Sequence, residues 1–264
     1  MQNSKKLSVI IVNFRSEHYL HKCLASVYNA LAFIDPEIII VNNDPEAGLE
    51  EIAKIFPQAK IISHQKNSGF GAASNLGAQN AQGEYLFFLN PDTEISGDLS
   101  GNPQNFFKEL SDERTGIVAP RLLDGNGKTQ EWSVGAEVGL WDIIRNNLGF
   151  PKSKKIWESS EKIDVDWASG AALLIKKDLF GRAGGFDEKF FMYFEDMDLC
   201  RRVRQKNKRI VYFPDFKVKH FCGGSATGKK EQKESFYRSQ DYFFEKHLGK
   251  TQTVFLKILR KIFK

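Results

Sequence analysis

Four short apolar runs alternate with helical patterns along the first third of the chain, and this alternation constrains the fold more than any other sequence feature. The apolar runs predict strands at 7–14, 37–43, 59–64 and 84–90. Helical periodicity or small residues between them predict helices at 16–31, 48–56 and 69–81. Such alternation builds a parallel sheet, with ligands expected beyond the carboxyl ends of its strands.

Three of the predicted strands end in polar residues. Asn13 closes the first strand, Asn42-Asn43-Asp44 follows the second, and Asn90-Pro91-Asp92 follows the buried run YLFFL. Because parallel strands present their carboxyl ends at one edge of the sheet, we expect these three ends to converge on one cleft. A strand end with one carboxylate can hold a metal or a ligand, or it can be an ordinary turn.

The second half of the chain is less regular. We predict a strand and turn over 116–128, an irregular loop with short helices over 135–165, and a strand leading into a helix over 166–180. A helix should begin near Glu195, and a strand pair broken at Pro214 should follow over 208–221. No repeat or linker is evident, which predicts one domain over 1–245 with halves at 1–115 and 116–245, followed by a tail over 246–264.

The composition is typical of a soluble globular protein, with 41% apolar and 27% charged residues in 264. No apolar run approaches the roughly 20 residues of a transmembrane helix, and the first run fits a strand better than a signal peptide. The three cysteines, Cys23, Cys200 and Cys222, are widely spaced and lack zinc-site spacing. This usage favours a reducing cytoplasm.

The net positive charge of the chain comes from its C-terminal residues. Residues 246–264 carry six basic and no acidic residues, and subtracting these six from the net charge of +5 leaves about −1 for the rest. The body therefore lacks the basic face that nucleic-acid binding needs, and we expect no nucleic-acid partner. Apolar residues recur at helical spacing between the tail's basic residues, so the tail either contacts an anionic membrane or packs on the body.

The segment NSGFGAASNLG is rich in small residues at the start of a predicted helix. Gly69 and Gly71 would let a ligand approach the backbone closely, and Asn75 is polar among small neighbours. The spacing fits neither a dinucleotide fingerprint nor a P-loop. Close helix packing explains the same residues equally simply.

Three acidic residues follow an aromatic run in FFMYFEDMD. Glu195, Asp196 and Asp198 fall in the first turn of a predicted helix, where the helix dipole alone would stabilise them. The aromatic residues could also raise a carboxyl pKa toward that of a general base. Successive helical residues point about 100° apart, so one of Glu195 and Asp196 would face a substrate atom.

His220 ends a predicted strand before two glycines. Alone it would more often be a packed or exposed histidine. Paired with Asp92, it could hold Mn²⁺ or Mg²⁺ that bridges a diphosphate.

Taken in order, these segments resemble the family 2 glycosyltransferases, which have the GT-A fold. The resemblance spans roughly residues 7–225 through LSVIIVNF, EIIIVNND, NSGFGAASNLGAQNAQGEYLFFLNPD, DWASGAALLIKK, GGFDEKFFMYFEDMDLCRR and VKHFCGGS. Within the family, the chain is most similar to bacterial rhamnosyltransferases of O-antigen and cell-wall polysaccharide synthesis. The implied α/β fold has a mostly parallel central sheet, a Rossmann-like nucleotide-binding half, a mixed acceptor-binding half and a C-terminal amphipathic helix.

The resemblance also implies residue roles. Asn43 would bond the nucleobase edge, and Asn42 stands where the family often has Asp. The residues implied for the donor are Val12, Phe14, Asn43, Asn67, Gly69, Gly71, Asn75, Asn90 and Asp92. Trp167 and Gly170 would border the acceptor.

The metal and catalytic residues follow from the same resemblance. Asp92 corresponds to the last residue of the D-x-D motif, whose first aspartate is replaced by Asn90. His220 would complete the site for Mn²⁺ or Mg²⁺. The pair Glu195-Asp196 matches the family's ED motif, in which Asp196 is the catalytic base.

The implied reaction is an inverting transfer from a nucleotide-sugar, expected to be dTDP-rhamnose, to a hydroxyl of a glycan or lipid-linked oligosaccharide. The Q-x-x-R-W motif of processive synthases is absent from the sequence, so we expect addition of one or a few sugars. The expected location is the cytoplasm, at the inner face of the plasma membrane if the tail binds lipid.

Two alternatives remain at this stage. A sugar-nucleotide pyrophosphorylase would need a glycine-rich loop after the first strand, where this chain has NFRSEHYL. A non-catalytic nucleotide-sugar-binding protein is favoured by Asn42 and the missing first aspartate. The intact Glu195-Asp196 pair and His220 argue against it.

Overall fold

The predicted alternation forms one half of a large sheet. The computed structural model describes residues 6–96, 103–221 and 228–262. The first four strands are β1 (Leu7–Asn13), β2 (Glu37–Asn42), β3 (Lys60–Ser63) and β4 (Tyr85–Leu89). The helices between them are α1 (Glu17–Leu31), α2 (Glu50–Ile55) and α3 (Phe70–Asn80). The four strands pair in parallel in the order β3-β2-β1-β4.

The sheet continues past β4 with mixed strand directions. The additional strands are β5 (Thr93–Ser96), β6 (Thr115–Leu123), β8 (Ile163–Val165), β10 (Ala172–Lys176) and β11 (Arg209–His220). The order after β4 is β10-β6-β11-β5, with β8 also paired to β11. Strand β5 follows β4 in sequence but pairs antiparallel with β11, which sets Thr93 opposite His220. This pairing brings the end of β4 close to the end of β11.

Strand β11 differs from the strand pair predicted around Pro214. It runs unbroken as one element, and its pairing with β6 changes register between Phe213 and Lys217. Pro214 has no backbone N–H to donate. The interruption therefore appears as an irregularity within one strand and not as a chain reversal.

The segment over 135–165 contains short elements, as predicted. They are β7 (Val134–Gly135), α5 (Leu140–Asn147) and α6 (Lys154–Trp157), and β7 pairs with β9 (Trp167–Ala168). The predicted strand-to-helix step over 166–180 is β10 followed by α7 (Lys177–Arg182). Helix α8 (Glu195–Arg204) begins at the predicted residue.

The sequence patterns did not predict β5, α4 (Pro103–Ser111) or α9 (Lys229–Leu248). Helix α9 extends past the predicted start of the tail at residue 246, so Lys246 lies in its last turn. Gly249, with φ of 90°, ends α9 and separates it from α10 (Lys250–Ile262). The predicted amphipathic tail helix is thus α10.

Alternate residues of β1 pack into two different apolar clusters. Leu7, Val9 and Ile11 belong to one cluster, and Ile10 and Val12 belong to the other. This alternation places apolar packing on both faces of the sheet, as expected for strands covered by helices on both sides. A third cluster lies outside the sheet and is formed by Phe190, Phe194, Phe243, Phe244 and Leu256.

Across the ranges that the structure describes, every helix is too short or too polar to pass through a bilayer.

Candidate active site

A cleft of about 890 Å³ opens at the carboxyl ends of β1, β2 and β4. Val12 and Phe14 line it from the end of β1, and Asn43 lines it from the end of β2. Asn90 and Asp92 line it from the end of β4. The predicted convergence of three polar strand ends is therefore present in the fold.

Asn13 and Asn42 are buried beside the cleft and do not line it. Asn13 donates from Nδ2 to Asn42 Oδ1 at 3.0 Å, and Asn42 donates from Nδ2 to the Ala47 carbonyl at 2.8 Å. Asn42 therefore acts as donor and acceptor within the turn after β2. Its amide fixes the direction in which the chain leaves the strand.

Asn43 uses its side chain to hold the loop that precedes α3. Its Nδ2 donates to Asn67 Oδ1 at 2.9 Å, and its Oδ1 accepts from the Ser68 N–H at 3.1 Å. Asn67 Oδ1 in turn accepts from the Gly69 N–H at 3.0 Å. These bonds shape the wall of the cleft, while contact between Asn43 and a nucleobase edge stays a prediction.

Gly69 joins this loop to the aromatic run before α8. Its φ is +84°, and a β-carbon at this position would collide with the Phe191 carbonyl. The adjacent Phe70 N–H donates to the same carbonyl at 3.1 Å. Only glycine combines this backbone conformation with so close an approach, so Gly69 fixes the loop before α3 against the segment before α8.

Gly71 and Asn75 are not among the cleft-lining residues. Gly71 packs closely on Phe186, whose Cβ would lie 3.1 Å from an added β-carbon. Asn75 donates to the Phe186 carbonyl and accepts from the Phe186 N–H, each at 2.9 Å. Both residues therefore tie α3 to the loop over 184–188, and their predicted contact with the donor stays a prediction.

Asp196 lies in the first turn of α8 and accepts two backbone hydrogen bonds. The Gly170 N–H donates to Oδ2 at 2.9 Å, and the Met197 N–H donates to Oδ1 at 2.7 Å. The second bond satisfies a free N–H of the first helical turn, while the first reaches across the cleft wall to the segment before β10. Asp196 therefore both bonds the first turn of α8 and is held in a fixed orientation in the cleft.

Glu195 and Asp196 differ in their surroundings. Glu195 is buried, and its Oε2 has no hydrogen-bond partner among the residues that the structure describes. Burial and the neighbouring Asp196 raise the pKa of Glu195 well above its ordinary value. Burial also raises the pKa of Asp196, but the N–H groups of Gly170 and Met197 oppose this. Asp196 is thus the member of the pair better suited to carry negative charge.

The two residues that immediately precede α8 both adopt the left-handed backbone conformation. Tyr193 has φ of 71° and Phe194 has φ of 66°, which is uncommon for large side chains. Ser239 of α9 donates to the Met192 carbonyl at 2.7 Å, and the Phe194 ring packs on Phe243 with centroids 5.5 Å apart. Strain of this kind is typical of functional sites that their surroundings hold in place.

Asp92 and His220 meet in the cleft, just beyond the end of β4 and at the end of β11. His220 Nε2 lies 3.4 Å from Asp92 Oδ1, and His220 Nδ1 lies 2.9 Å from Gln130 Oε1. Gln130, which the sequence did not single out, orients the imidazole so that Nε2 faces the carboxylate. No group of three His, Cys, Asp or Glu side chains suited to a metal occurs in the described ranges, so Asp92 and His220 form a pair and not part of a larger cluster of these residue types there.

Trp167 and Gly170 line the cleft on the predicted acceptor side. Trp167 is buried and donates from Nε1 to the Ala136 carbonyl at 3.0 Å. Gly170 lies against Phe70 and Asp196, where an added β-carbon would come within 3.2 Å of the Phe70 ring.

The sequence did not predict the far wall of the cleft, which comes from three helices outside the sheet. Ile143, Asn146 and Asn147 belong to α5; Phe236, Tyr237 and Gln240 belong to α9; and Leu256, Leu259 and Arg260 belong to α10. Arg260 lies over the Tyr237 ring at 4.1 Å and donates to Asp241 Oδ1 at 2.7 Å. The C-terminal helix is thus part of the cleft as well as of the surface.

Cysteine chemistry does not enter this site through the described thiols. Cys23 and Cys200 are both free and buried. Burial raises the pKa of Cys23 to about 12, so its thiol stays protonated at neutral pH. Cys222 and the glycines after His220 lie outside the described residues.

Comparison with known proteins places this fold and cleft in one enzyme class. The model of glycosyl transferase family 2 matches residues 8–180, and the chain belongs to this family. This membership sets aside the pyrophosphorylase alternative.

Two curated relatives match most of the chain. Rhamnosyltransferase WbbL of Escherichia coli K12 is 31% identical over 81% of this chain and 83% of its own length. An N-acetylglucosaminyl-diphospho-decaprenol L-rhamnosyltransferase of Mycobacterium tuberculosis is 26% identical over 92% of this chain and 85% of its own length.

Solved structures confirm the GT-A fold. GalNAc-T7 with UDP, GalNAc and Mn²⁺ superposes with a TM-score of 0.62 at 18% identity, over 92% of this chain and 50% of that one. Staphylococcus aureus TarS residues 1–349 with UDP gives a TM-score of 0.59 at 18% identity, over 89% of this chain and 63% of that one.

Proposed function

We propose that the protein transfers rhamnose from dTDP-rhamnose to a hydroxyl of a lipid-linked oligosaccharide or glycan in the synthesis of a bacterial surface polysaccharide. The observation that carries this proposal is the placement of Asp196, held by Gly170 and Met197 in the same cleft as the β1, β2 and β4 strand ends. The choice of rhamnose is supported by the names of two relatives that match most of the chain.

The donor binds against the strand ends. Val12 and Phe14 provide an apolar wall for the nucleobase, and the loop over 67–69 borders the ribose and diphosphate. Backbone N–H groups and the half-buried Asn90 offer polar contacts there. This half of the cleft is preorganised, because Asn43 and Gly69 already fix the loop.

The Asp92–His220 pair fits a divalent cation, Mn²⁺ or Mg²⁺. A buried carboxylate and an imidazole nitrogen 3.4 Å apart face one cleft and supply oxygen and nitrogen ligands. When bound, the cation would neutralise charge on the leaving nucleoside diphosphate. Gln130 keeps the His220 ring oriented toward that position.

Asp196 is the base in a single inverting displacement. It takes the proton from the acceptor hydroxyl as that oxygen attacks the anomeric carbon on the face opposite the diphosphate. The N–H groups of Gly170 and Met197 hold both carboxylate oxygens in place. Glu195 stays protonated beside it, which avoids a second negative charge at the same site.

The acceptor approaches from the wall formed by Trp167 and by helices α5, α9 and α10, and the enzyme adds one or a few sugars. Helix α10 also contacts an anionic membrane, which would place the enzyme at the inner face of the plasma membrane. The single leaving group and single base need no covalent enzyme intermediate.

A transfer assay tests the proposal. Purified protein with Mn²⁺, dTDP-rhamnose and a short-chain N-acetylglucosaminyl-diphospho lipid should give a product whose new linkage has the opposite anomeric configuration to the donor, by NMR. A donor at 100 times its Kd should also stabilise the fold by about 2.7 kcal/mol. Stabilisation without transfer or hydrolysis of any nucleotide-sugar in a panel would indicate the non-catalytic binding protein instead.

A further inference from the structure

We infer that α5, residues 148–150 and α10 together form one docking surface for an anionic lipid bilayer. The inference rests on the proposed function, which gives α10 a membrane contact, and it adds a second helix. We call this the two-helix surface; its exposed apolar members are Trp141, Leu148, Phe150, Val254, Phe255, Ile258 and Ile262.

Helix α10 has three faces of different character. Thr253 and Leu256 are buried, which fixes the side that packs on the body. At about 100° per residue, the exposed residues Val254, Phe255, Ile258 and Ile262 fall on a neighbouring arc of roughly 100°. The exposed Lys250 and Lys261 fall between that arc and the packed side. Packing on the body therefore leaves a second apolar stripe uncovered, bordered by lysines.

Helix α5 repeats this arrangement. Leu140 and Ile143 pack against the third apolar cluster, which contains Leu256. Trp141, Arg145 and Leu148, spaced four and three residues apart, point outward on one stripe. Trp141 is 77% exposed, and Phe150, just beyond the helix, is 70% exposed. Exposure of this extent in two large aromatic residues is unusual on a soluble surface.

The two helices form one unit because α5 contacts α10 and both cover the same cluster. Their other sides line the cleft, through Ile143 and Asn146 of α5 and Leu256 and Leu259 of α10. A bilayer on the two-helix surface would therefore lie beside the acceptor side of the cleft. A lipid-linked acceptor could then present its sugar to Asp196 while its chain remains in the membrane.

Charge favours an anionic bilayer over a second copy of the chain. Within α5, residues 148–150 and α10, the one acidic residue is Asp142, which is buried and pairs with Lys152 at 2.5 Å. The exposed basic residues over 140–157 and 250–262 are Arg145, Lys152, Lys154, Lys155, Lys250, Lys257 and Lys261, of which Lys257 pairs with Asp241. Self-association through this surface would bring these charges together, whereas anionic headgroups would neutralise them. Trp and Phe with flanking Lys and Arg are the residues expected at a lipid interface.

Co-sedimentation of the full chain with vesicles tests the two-helix surface. Vesicles of phosphatidylcholine and phosphatidylglycerol in equal parts should bind it, and phosphatidylcholine alone should bind it less. The double substitutions Trp141→Ser with Phe150→Ser, and Phe255→Ser with Ile258→Ser, should each lower the partition coefficient roughly fivefold or more. The control Phe33→Ser with Ile55→Ser removes residues that are 40% and 47% exposed elsewhere, and it should bind like wild type.

Trp141 also provides a direct readout. Vesicles of brominated lipid should quench part of the tryptophan fluorescence, and Trp141→Phe should remove most of that quenching. The inference is overturned if the α5 substitutions leave binding and quenching unchanged, or if binding ignores lipid charge. Self-association that the same substitutions abolish would overturn it as well. Transfer to a water-soluble acceptor, assayed without vesicles, reports on the proposed function separately, and these variants should retain it.

Discussion

The buried Asp198 carboxylate forms an ion pair with the Lys246 ammonium, with 2.6 Å between Oδ1 and Nζ, that joins helix α8 to the last turn of α9. His247 and Arg202 each contact the same carboxylate at 2.7 Å. Burial raises the pKa of Asp198, but hydrogen bonds from His247 and Lys246 and the charges of Arg202 and Lys246 outweigh burial and hold it at about 2. The third acidic residue of the EDMD segment therefore fixes the helix that carries Glu195 and Asp196.

We expect Asp198→Asn to lower the free energy of unfolding by about 1.5 to 3 kcal/mol, because Arg202 and Lys246 lose the charge of a buried carboxylate while Lys246 keeps Asp187 as a second partner. The folded pKa of about 2 lies below the ordinary 3.8. The stability from Asp198 is therefore present above about pH 4 and is lost as the pH falls toward the folded value. Urea denaturation near pH 7 and near pH 2.5 should show the wild-type advantage shrinking in acid.

Asp178→Asn is the control for Asp198→Asn. Asp178 pairs with Arg182 at 2.9 Å, with side chains 78% and 57% exposed. Such exposed pairs contribute less than about 0.5 kcal/mol. Equal losses in the two variants would contradict a special role for the Asp198 network.

Amide substitution separates the roles proposed for Glu195 and Asp196. Asp196→Asn should lower kcat by roughly 10² to 10⁴-fold, the range for loss of a general base, while donor affinity is kept. Glu195→Gln should cost far less, because burial raises the pKa of Glu195 and so favours its neutral form, which an amide resembles. A variant pair with equal losses in kcat would show that both carboxylates act in the chemistry.

The pH dependence of kcat follows from the same pair. Burial raises the pKa of Asp196 above 3.8. Since the base must be ionised, the rate should rise with pH through this raised pKa. The acidic limb of the profile should disappear in Asp196→Asn and persist in Glu195→Gln.

Metal binding should depend on nucleotide. With Asp92 as the one proposed carboxylate ligand and His220 beside it, Mn²⁺ should bind weakly to the protein alone and more tightly with a nucleoside diphosphate present. Calorimetric titration should show this difference, and His220→Ala should reduce it. Gln130→Ala should lower the Mn²⁺ affinity by roughly 10 to 100-fold through loss of ring orientation. The exposed His21→Ala is the control, and tight Mn²⁺ binding without nucleotide would argue against the site.

Gly69→Ala should disrupt the donor-side loop. The substitution adds backbone strain at φ of +84° and a collision with the Phe191 carbonyl. Gly127→Ala is matched for strain, with φ of +78°, but has nothing within 4 Å of the added carbon. We expect Gly127→Ala to lower the free energy of unfolding by about 1 kcal/mol, and Gly69→Ala to lower it by more. Thermal denaturation should show both losses of stability. A donor titration should show weaker donor binding in Gly69→Ala and unchanged donor binding in Gly127→Ala.

Two adjacent residues of α10 should behave in opposite ways. Leu256 is 1% exposed and packs in the cluster with Phe194, whereas Phe255 is 55% exposed. Leu256→Ala should lower the free energy of unfolding by about 2 to 4 kcal/mol and reduce transfer even to a soluble acceptor. Phe255→Ala should change the free energy of unfolding by less than about 0.5 kcal/mol and the rate of transfer to a soluble acceptor by less than about twofold. Similar stability of the two variants would show that α10 does not pack as described.

The donor side of the cleft could be predicted because it depends on local patterns. A strand such as β4 is recognisable in the sequence as a continuous apolar run, which the fold buries completely. The parallel order of the strands then brings their ends together. The use of each polar side chain could not be predicted in this way. Asn43 and Asn75 look alike in sequence, yet one shapes the cleft wall and the other bonds Phe186 outside it.

The acceptor side was harder because its determinants are distant in sequence. Helix α9 has mostly polar residues, and its buried Phe243 and Phe244 are recognisable only beside Phe190 and Phe194. The left-handed conformation of Tyr193 depends on such packing and has no local signal such as glycine. Gln130 reaches His220 because the chain turns back after β6, where the Gln130 N–H donates to the Leu122 carbonyl, and β6 pairs with β11 as far as Lys219.

The two walls of the cleft are therefore formed by different parts of the chain. The donor wall comes from one continuous stretch ending at Asp92, where each strand end is fixed by the neighbours in the sheet. Much of the opposite wall comes from α9 and α10, which lie after the family-matched residues 8–180. Under the proposed function, substitutions there can change the choice of acceptor without disturbing the strand ends proposed to bind the nucleotide, so one specificity can evolve while the other is kept.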